Sequence, residues 1–338
     1  MLDNNLHFFT YFSKEYLIQG STAVESFMTH HPNSTGFVVS LDAISTRYLQ
    51  EFEFTDSLKI IELSDLMDLD KKFFELLETR TYAESIITLK PFLAENLLKK
   101  IPEGDYLLYF DADLFFFQSL IRELSFSDSE CMYLSRHLFP PKMLQSVVFG
   151  KHNGGFFIVR NVEAGRSLIQ DWRKKCDHWC FLRLEDGKFA DQKYLDGYYP
   201  GVGVVQIDSP GINNGQYFFQ VHRNIVYKRS SGSTWIEHKV LTCFHFHGFR
   251  INQSVISTGF NRYGMPKNFI RIMRYIYLPY IRHISEIASR YEAISELFWQ
   301  DIGTTPEQLP LYRGLLKAMR FTIIPRKSIP KGSHDKLI

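Results

Sequence analysis

Two hydrophobic periods alternate along the first half of the chain. "LHFFTYF" (6–12) is a short aromatic run that reads as a first strand. "SKEYLIQGSTAVESFMTHH" (13–31) follows at helical spacing, with Ser13 placed as its cap. "GFVVSLD" (36–42) and "LKIIELSDL" (58–66) are buried-strand runs. "DLDKKFFELLETR" (68–80) has an acidic first turn and predicts a helix. "AESIITLKPFLAENLLKKI" (83–101) predicts a longer helix, broken or bent at Pro91. "YLLYF" (106–110) then predicts a central strand, and it runs directly into Asp111.

The second half is less regular. "KHNGGFFIVRN" (151–161) turns strand-like after its glycines, and "VEAGRSLIQDWRKKCDHW" (162–179) reads as a helix. "FADQKYLDGYYPG" (189–201) opens a helix and turns. "YFFQVHRNIVYKRSSGST" (217–234) has hairpin character, "VLTCFHFHGFR" (240–250) alternates like a strand, and the chain reads as helical from Pro266 onward. Strands alternating with helices at this spacing predict an α/β fold: a Rossmann-like, mixed but mainly parallel sheet with helices on both faces. Ligands of such sheets bind at the carboxyl ends of the strands, where Asp111 falls.

The 338 residues suit one large domain with an extension: 1–250 as the body and 251–338 as a basic, mostly helical C-terminal part. Aromatic residues make up 15% of the chain, more than core filling needs, so a share of them is expected near the surface or in a pocket. The net charge of +2 is unevenly spread. From Arg250 onward there are 14 Lys/Arg against 6 Asp/Glu, and before it 25 against 31. An acidic body with a basic tail points to an anionic partner for the tail. No basic, apolar leader opens the chain, and no run reaches the roughly 18 apolar residues of a membrane span. The reading is a cytoplasmic protein with its 4 Cys reduced. Cys176 and Cys180 flank "DHW", and a metal clip with His178 is weighed against plain core or surface thiols near a helix end, which the spacing favours.

Burying an unpaired carboxylate is expensive, yet Asp111 and Asp113 lie in the apolar stretch "DYLLYFDADLFFF". Two Asp separated by one residue at a strand end can both reach a hard divalent cation, Mn²⁺ or Mg²⁺. Asp68 and Asp70 share the spacing but sit in a helical first turn, where the dipole favours acids, so that pair reads as structural. His245 and His247 share one strand face, with Phe244 and Phe246 on the other. A lone His in an apolar strand is ordinarily a core residue.

Four motifs in order make the chain resemble the GT-A-fold glycosyltransferases, in particular the glycogenin-like and bacterial lipopolysaccharide galactosyltransferase group. "YFDADL" resembles that group's metal-binding DxD, "KHNGGFFIVRN" its donor-sugar Asn strand, "FADQKYLDG" its Asp-Gln-Asp motif, and "HFHG" its metal-ligating His motif. The likeness covers about the first 250 residues. It implies Mn²⁺ or Mg²⁺ on Asp111, Asp113 and His245, and a nucleotide-diphosphate sugar donor, a UDP-sugar favoured. It implies donor contacts from Tyr11, Phe12, Tyr16, Lys90, Ala112, Asn153, Gly154, Gly155, His247, Gly248 and Arg250, with Asp111 also beside the donor. Asp191 and Gln192 are the catalytic candidates, stabilising an oxocarbenium-like sugar in a retaining reaction or, for Asp191, acting as base in an inverting one. The implied acceptor is a glycan or glycolipid hydroxyl. The bland readings are a turn for Asn153–Gly155, a helix cap for Asp191 and a solvated Lys for Lys90.

Two departures mark a divergent branch. Lys193 stands where the group carries a third acid, and "FRINQS" replaces its Lys-Pro-Trp, leaving Arg250 as the candidate phosphate clamp. In the tail, Lys267, Arg271, Arg274 and Arg282 lie among Ile, Met and Tyr, followed by Lys317, Arg320, Arg326, Lys327 and Lys331. Such helices either lie on an anionic membrane surface or cap the domain. Nucleic acid is not expected as a partner, since no recognition motif appears. The rival readings are a haloacid-dehalogenase-like phosphohydrolase, whose Asp-x-Asp normally lies on the first strand, and a non-catalytic fold relative that binds nucleotide or glycan.

Overall fold

In the computed structural model, residues 5–51, 57–198, 201, 203–222, 224–251, 255–260, 263–290 and 323–325 are described. β1 (Leu6–Phe12), β2 (Gly36–Ser40), β3 (Leu58–Glu62) and β4 (Tyr106–Phe110) are the strands that the apolar runs predict. α1 (Leu17–His30), α2 (Ala43–Glu51), α3 (Ser64–Met67), α4 (Lys71–Glu78) and α5 (Tyr82–Leu98) connect them. β5 (Leu114–Phe116), β6 (Met132–Arg136), β7 (His152–Arg160), α6 (Glu163–His178) and β8 (Val204–Ile207) follow. The main sheet has seven strands in the order β3-β2-β1-β4-β7-β6-β8, so β4 is central. β7 runs antiparallel to both β4 and β6, and the other neighbours are parallel.

Alternation along each strand fills two cores. Phe8, Val38, Leu108 and Phe110 face α1 on one side, whereas Phe9, Phe37, Leu107 and Tyr109 face α5 and α6 on the other. Ser13 donates to Glu15 (2.5 Å) instead of capping α1, and a short 3₁₀ turn, Lys14–Tyr16, comes first. α5 is continuous through Pro91, so of the expected break or bend the break does not occur, and a Thr81/Glu84 capping box opens it. Asp70 caps α4 by accepting from the Phe73 amide, and it pairs with Arg173, as the structural reading of Asp68/Asp70 requires.

A second layer completes the site side. β9 (Ile212–Asn214) pairs with β13 (Cys243–His245), which is antiparallel to β5. Between them β10 (Ile225–Lys228) and β11 (Ser233–Ile236) form the expected hairpin, with β12 (Lys239–Val240) alongside. β14 (Arg250–Ile251), β15 (Val255–Ser257) and, after the helices, β16 (Ile323–Pro325) make a small antiparallel sheet. β16 is a strand where the sequence reads as helix. α7 (Phe269–Ile272) continues through a π turn into α8 (Leu278–Arg290). Ile276, Tyr277, Tyr280, Ile281 and Ile284 are fully buried in the same core as β4 and α1. The Phe246 and Tyr280 rings stack 3.8 Å apart, so this helix supports the histidine strand from behind. The basic residues Lys317, Arg320, Arg326, Lys327 and Lys331 lie outside the described residues. Among the described residues, no helix is long and apolar enough to cross a membrane.

Candidate metal and nucleotide-sugar site

β4 ends at Phe110 and the chain turns at once: the Asp111 amide donates to Gly155 O (2.9 Å), and the Leu114 amide donates to Asp111 O (3.1 Å). The turn sends the chain into β5, whose register pairs Leu114 with His245. The Phe246 amide then donates to Asp113 O (2.8 Å). The strand pairing thus sets His245 beside both carboxylates, although more than 130 residues separate them in sequence.

His245 Nε2 lies 3.0 Å from Asp113 Oδ1 and 3.8 Å from Asp111 Oδ2. One ligand atom from each of Asp111, Asp113 and His245 lies within 4.8 Å of the others, the one such group of three among the described residues. Tyr109 donates to the other Asp111 oxygen, Oδ1 (2.5 Å), which leaves Oδ2 turned toward His245. Gly155 closes the back of the cluster. A Cβ there would stand 2.6 Å from Asp111 Oδ2 and 2.7 Å from His245 Cε1. Two carboxylates and an imidazole in a pocket that only glycine leaves open fit a small divalent ion. Without one, burial pushes the His245 pKa down and the Asp113 one up. The pair with each other outweighs burial in both, so the imidazole is raised and the carboxyl is lowered to about 2.

Lys90 forms the second centre. Its ammonium is 5% exposed, lies 3.0 Å from Asp191 Oδ2 and 3.8 Å from Asp111 Oδ1, and donates to Gly154 O (2.9 Å). The solvated reading of Lys90 is therefore excluded. Burial opposes its charge, but Asp191 and Asp111 together hold its pKa above the ordinary lysine value. Asp191 is equally buried and makes no side-chain cap bond, so the cap reading is excluded as well. Its backbone is aimed by Ala190, which has a left-handed φ of 49°, and by Trp172 Nε1, which donates to Asp191 O (2.9 Å). Gln192 opens a 3₁₀ turn (Gln192–Gly197) and donates to Phe149 O (2.9 Å). Gly154 passes close by; a Cβ on it would be 3.3 Å from Asp191 Oδ2 and 3.5 Å from Lys90 Nζ.

Asn153 is buried in β7. Its Oδ1 accepts from the Gly155 amide (3.0 Å), and its Nδ2 lies 3.4 Å from both Asn213 O and His245 Nδ1. Ala112 is buried between the two aspartates. Tyr16 and Arg250 meet at the outer edge, the guanidinium 5.6 Å from the ring centroid. Burial, then Asp113, raises the Tyr16 phenol pKa. His247 is exposed, its ring 5.9 Å from that of His245, and Gly248 turns the chain with φ 74°.

Two expected base contacts lie elsewhere. Phe12 is 2% exposed, and its ring packs against Gly20 of α1, so it has no open face. Tyr11 is buried behind the site, stacked on Tyr109 with its hydroxyl donated to Ile86 O (2.9 Å). The inward alternation of β1 puts both side chains into the cores. Tyr109, Asn213 and Ser135 join the site unannounced by any motif; the pairing of β9 with β13 is what brings Asn213 in. Cys176 and Cys180 are fully buried free thiols, and among the described residues their neighbour His178 belongs to no group of three ligands.

No family model matches the chain. An uncharacterized protein of Bacillus subtilis strain 168, YfnF, is 28% identical over 255 residues, which cover 72% of this chain and 81% of that protein. Among solved structures, the galactosyltransferase LgtC in complex with donor and acceptor sugar analogs aligns over 91% of this chain and 99% of its own. The TM-score is 0.50 at 15% identity. Mouse xyloside xylosyltransferase 1 in its apo form aligns over 72% of this chain and 98% of its own, at a TM-score of 0.43 and 16% identity. The chain has the GT-A fold that the four motifs imply, a mixed and mainly parallel sheet covered by helices.

Proposed function

We propose that this GT-A-fold chain is a metal-dependent glycosyltransferase that moves a sugar from a nucleotide-diphosphate donor to a glycan or glycolipid hydroxyl. The observation that carries this reading is the convergence of Asp111, Asp113 and His245 at the carboxyl end of the central strand. These three residues would hold Mn²⁺ or Mg²⁺. When bound, the ion supplies Lewis-acid stabilisation to a diphosphate leaving group.

The remaining roles belong to the chain's own groups. Lys90 pairs with Asp191 and lies beside Asp111; burial raises the Asp191 carboxyl above its ordinary value, and Lys90 opposes that rise. Asn153 offers amide donors to sugar hydroxyls beside the metal cluster. Arg250 and Tyr16, at the outer edge, suit a donor phosphate and a UDP-sugar nucleotide. Asp191 and Gln192 face the transferred sugar across Gly154. Asp191 is engaged by Lys90 at 3.0 Å and only 5% exposed, so little of its carboxylate is open to an incoming hydroxyl. This favours retention, with Asp191 and Gln192 stabilising positive charge on the sugar. A phosphohydrolase would need its nucleophile on the first strand, whereas Asp111 follows the fourth. The basic stretch after Arg250 supports an acceptor at an anionic surface, with the protein acting from the cytoplasmic side.

A thermal-shift screen of nucleotide sugars with and without Mn²⁺ tests the reading. One sugar nucleotide should raise Tm only with Mn²⁺, and Asp113→Asn should lose the effect. If neither Mn²⁺ nor any sugar nucleotide moves Tm, the proposal is wrong.

A further inference from the structure

Asn213 is buried without exposure, in β9, and is one of four non-glycine residues with a left-handed φ among the described residues, at 51°. Asparagine adopts that conformation more readily than most residues, and the turn points its side chain at the back of His245. Asn213 Oδ1 lies 3.0 Å from His245 Nδ1, on the ring edge opposite the two aspartates. Its Nδ2 lies 2.6 Å from Ser135 Oγ, and that hydroxyl is 3.4 Å from each of two carbonyls, Asn153 O and Phe156 O.

The polarity of this chain of bonds can be followed. The two carbonyls take the Ser135 proton, so Ser135 Oγ accepts from Asn213 Nδ2. The amide oxygen of Asn213 must then face His245. An oxygen there accepts only from Nδ1–H; Asp113 Oδ1, 3.0 Å from Nε2, accepts a proton from that nitrogen until an ion displaces it and takes the Nε2 lone pair. Asn153 Nδ2 also approaches Nδ1, but at 3.4 Å it is the longer contact, and Asn153 Oδ1 is already occupied by the Gly155 amide.

We infer that Asn213, anchored by Ser135, is a positioning residue that selects the Nδ1–H tautomer of His245 and so presents Nε2 as a metal ligand. The inference rests on the metal-site reading, because without an ion the Asp113 carboxylate holds a proton on Nε2. Histidine ligands commonly need such a partner, and its loss costs about 10- to 100-fold in metal affinity.

The test uses the full chain as wild type, Asn213→Asp, Asn213→Gly and His245→Ala. Aspartate and glycine both tolerate the left-handed backbone, so the first two substitutions change the acceptor and leave the turn possible. ¹⁵N NMR of histidine-labelled protein is recorded with Zn²⁺, a diamagnetic stand-in for Mn²⁺, and the signal lost in His245→Ala assigns the ring. Calorimetric titration with Mn²⁺ alone gives the affinities. Wild type and Asn213→Asp should show the Nδ1–H tautomer. Asn213→Gly should show a mixture and bind Mn²⁺ about 10- to 100-fold more weakly, with Asn213→Asp within a few fold of wild type. An Nε2–H tautomer in the wild type, or Asn213→Gly binding Mn²⁺ as wild type does, overturns the inference. Unchanged Mn²⁺ binding in His245→Ala overturns the metal site itself, and the role of Asn213 with it.

Discussion

Gly155 and Asp111 pack so closely that a methyl group on Gly155 would stand 2.6 Å from Asp111 Oδ2, inside any normal contact. The same methyl would meet His245 at 2.7 Å. Gly155→Ala must therefore push two of the three candidate ligands apart. A displacement near 1 Å costs on the order of 100-fold where geometry governs function. The expected outcome is loss of Mn²⁺ binding by at least that factor in a calorimetric titration, with a folded protein by circular dichroism.

Lys90 serves two carboxylates at once, the buried Asp191 and the half-buried Asp111. Replacing it by Met leaves Asp191 without a countercharge at 5% exposure. Breaking a buried pair in this way costs about 3–5 kcal/mol. Denaturant unfolding should show a loss of that order for Lys90→Met, and Asp191→Asn combined with it should recover part of the loss. Equal stability of Lys90→Met and wild type would show that the pair is screened.

The pH dependence follows from His245 and Asp113. In the metal-free protein the Asp113 carboxyl is held at about 2, against an ordinary value of roughly 3.9. Its contribution to stability is present above the ordinary value and is lost as pH falls toward 2. His245 is raised above its ordinary value of about 6.5, so its contribution is complete below that value and fades as pH rises through the raised one. A metal ion needs Nε2 free of its proton. Mn²⁺ affinity should therefore climb with pH until the raised His245 value is passed, with release of one proton, and then level off. Titrations in buffers of different ionisation enthalpy measure that proton directly.

The stacked pair Phe246–Tyr280 ties α8 to the histidine strand. Tyr280 is fully buried, and Tyr280→Ala should cost about 3–5 kcal/mol, as other large-to-small aromatic substitutions in cores do. A thermal melt should show the same transition for the whole body, because α8 shares its core with β4 and α1.

The sequence makes the first half of the fold legible because short, mainly apolar strand runs alternate with segments of helical period, two of them opened by side-chain caps at Asp70 and Thr81. β4 and its terminal Asp111 follow from that pattern alone. The site is legible only where residues cluster in sequence, as in "DAD", "HNGG" and "HFHG". The side chains behind the cluster are not. Tyr109 is marked by no motif, Tyr11 reads as a donor contact but stacks behind the site on Tyr109, and Asn213 becomes a neighbour of His245 only through the β9–β13 pairing. Pro91 suggests a break or a bend, and α5 runs through it unbroken with Pro91 on a buried face. Phe12 looked available to a nucleotide base until the close approach of Gly20 fixed its ring in the core.

Anomalous scattering from crystals soaked in Mn²⁺ and a sugar nucleotide tests the central claim most directly. The expected result is a single strong peak within ligand distance of Asp111, Asp113 and His245, absent in Asp113→Asn. A well-occupied nucleotide with no peak between those three side chains would contradict the account.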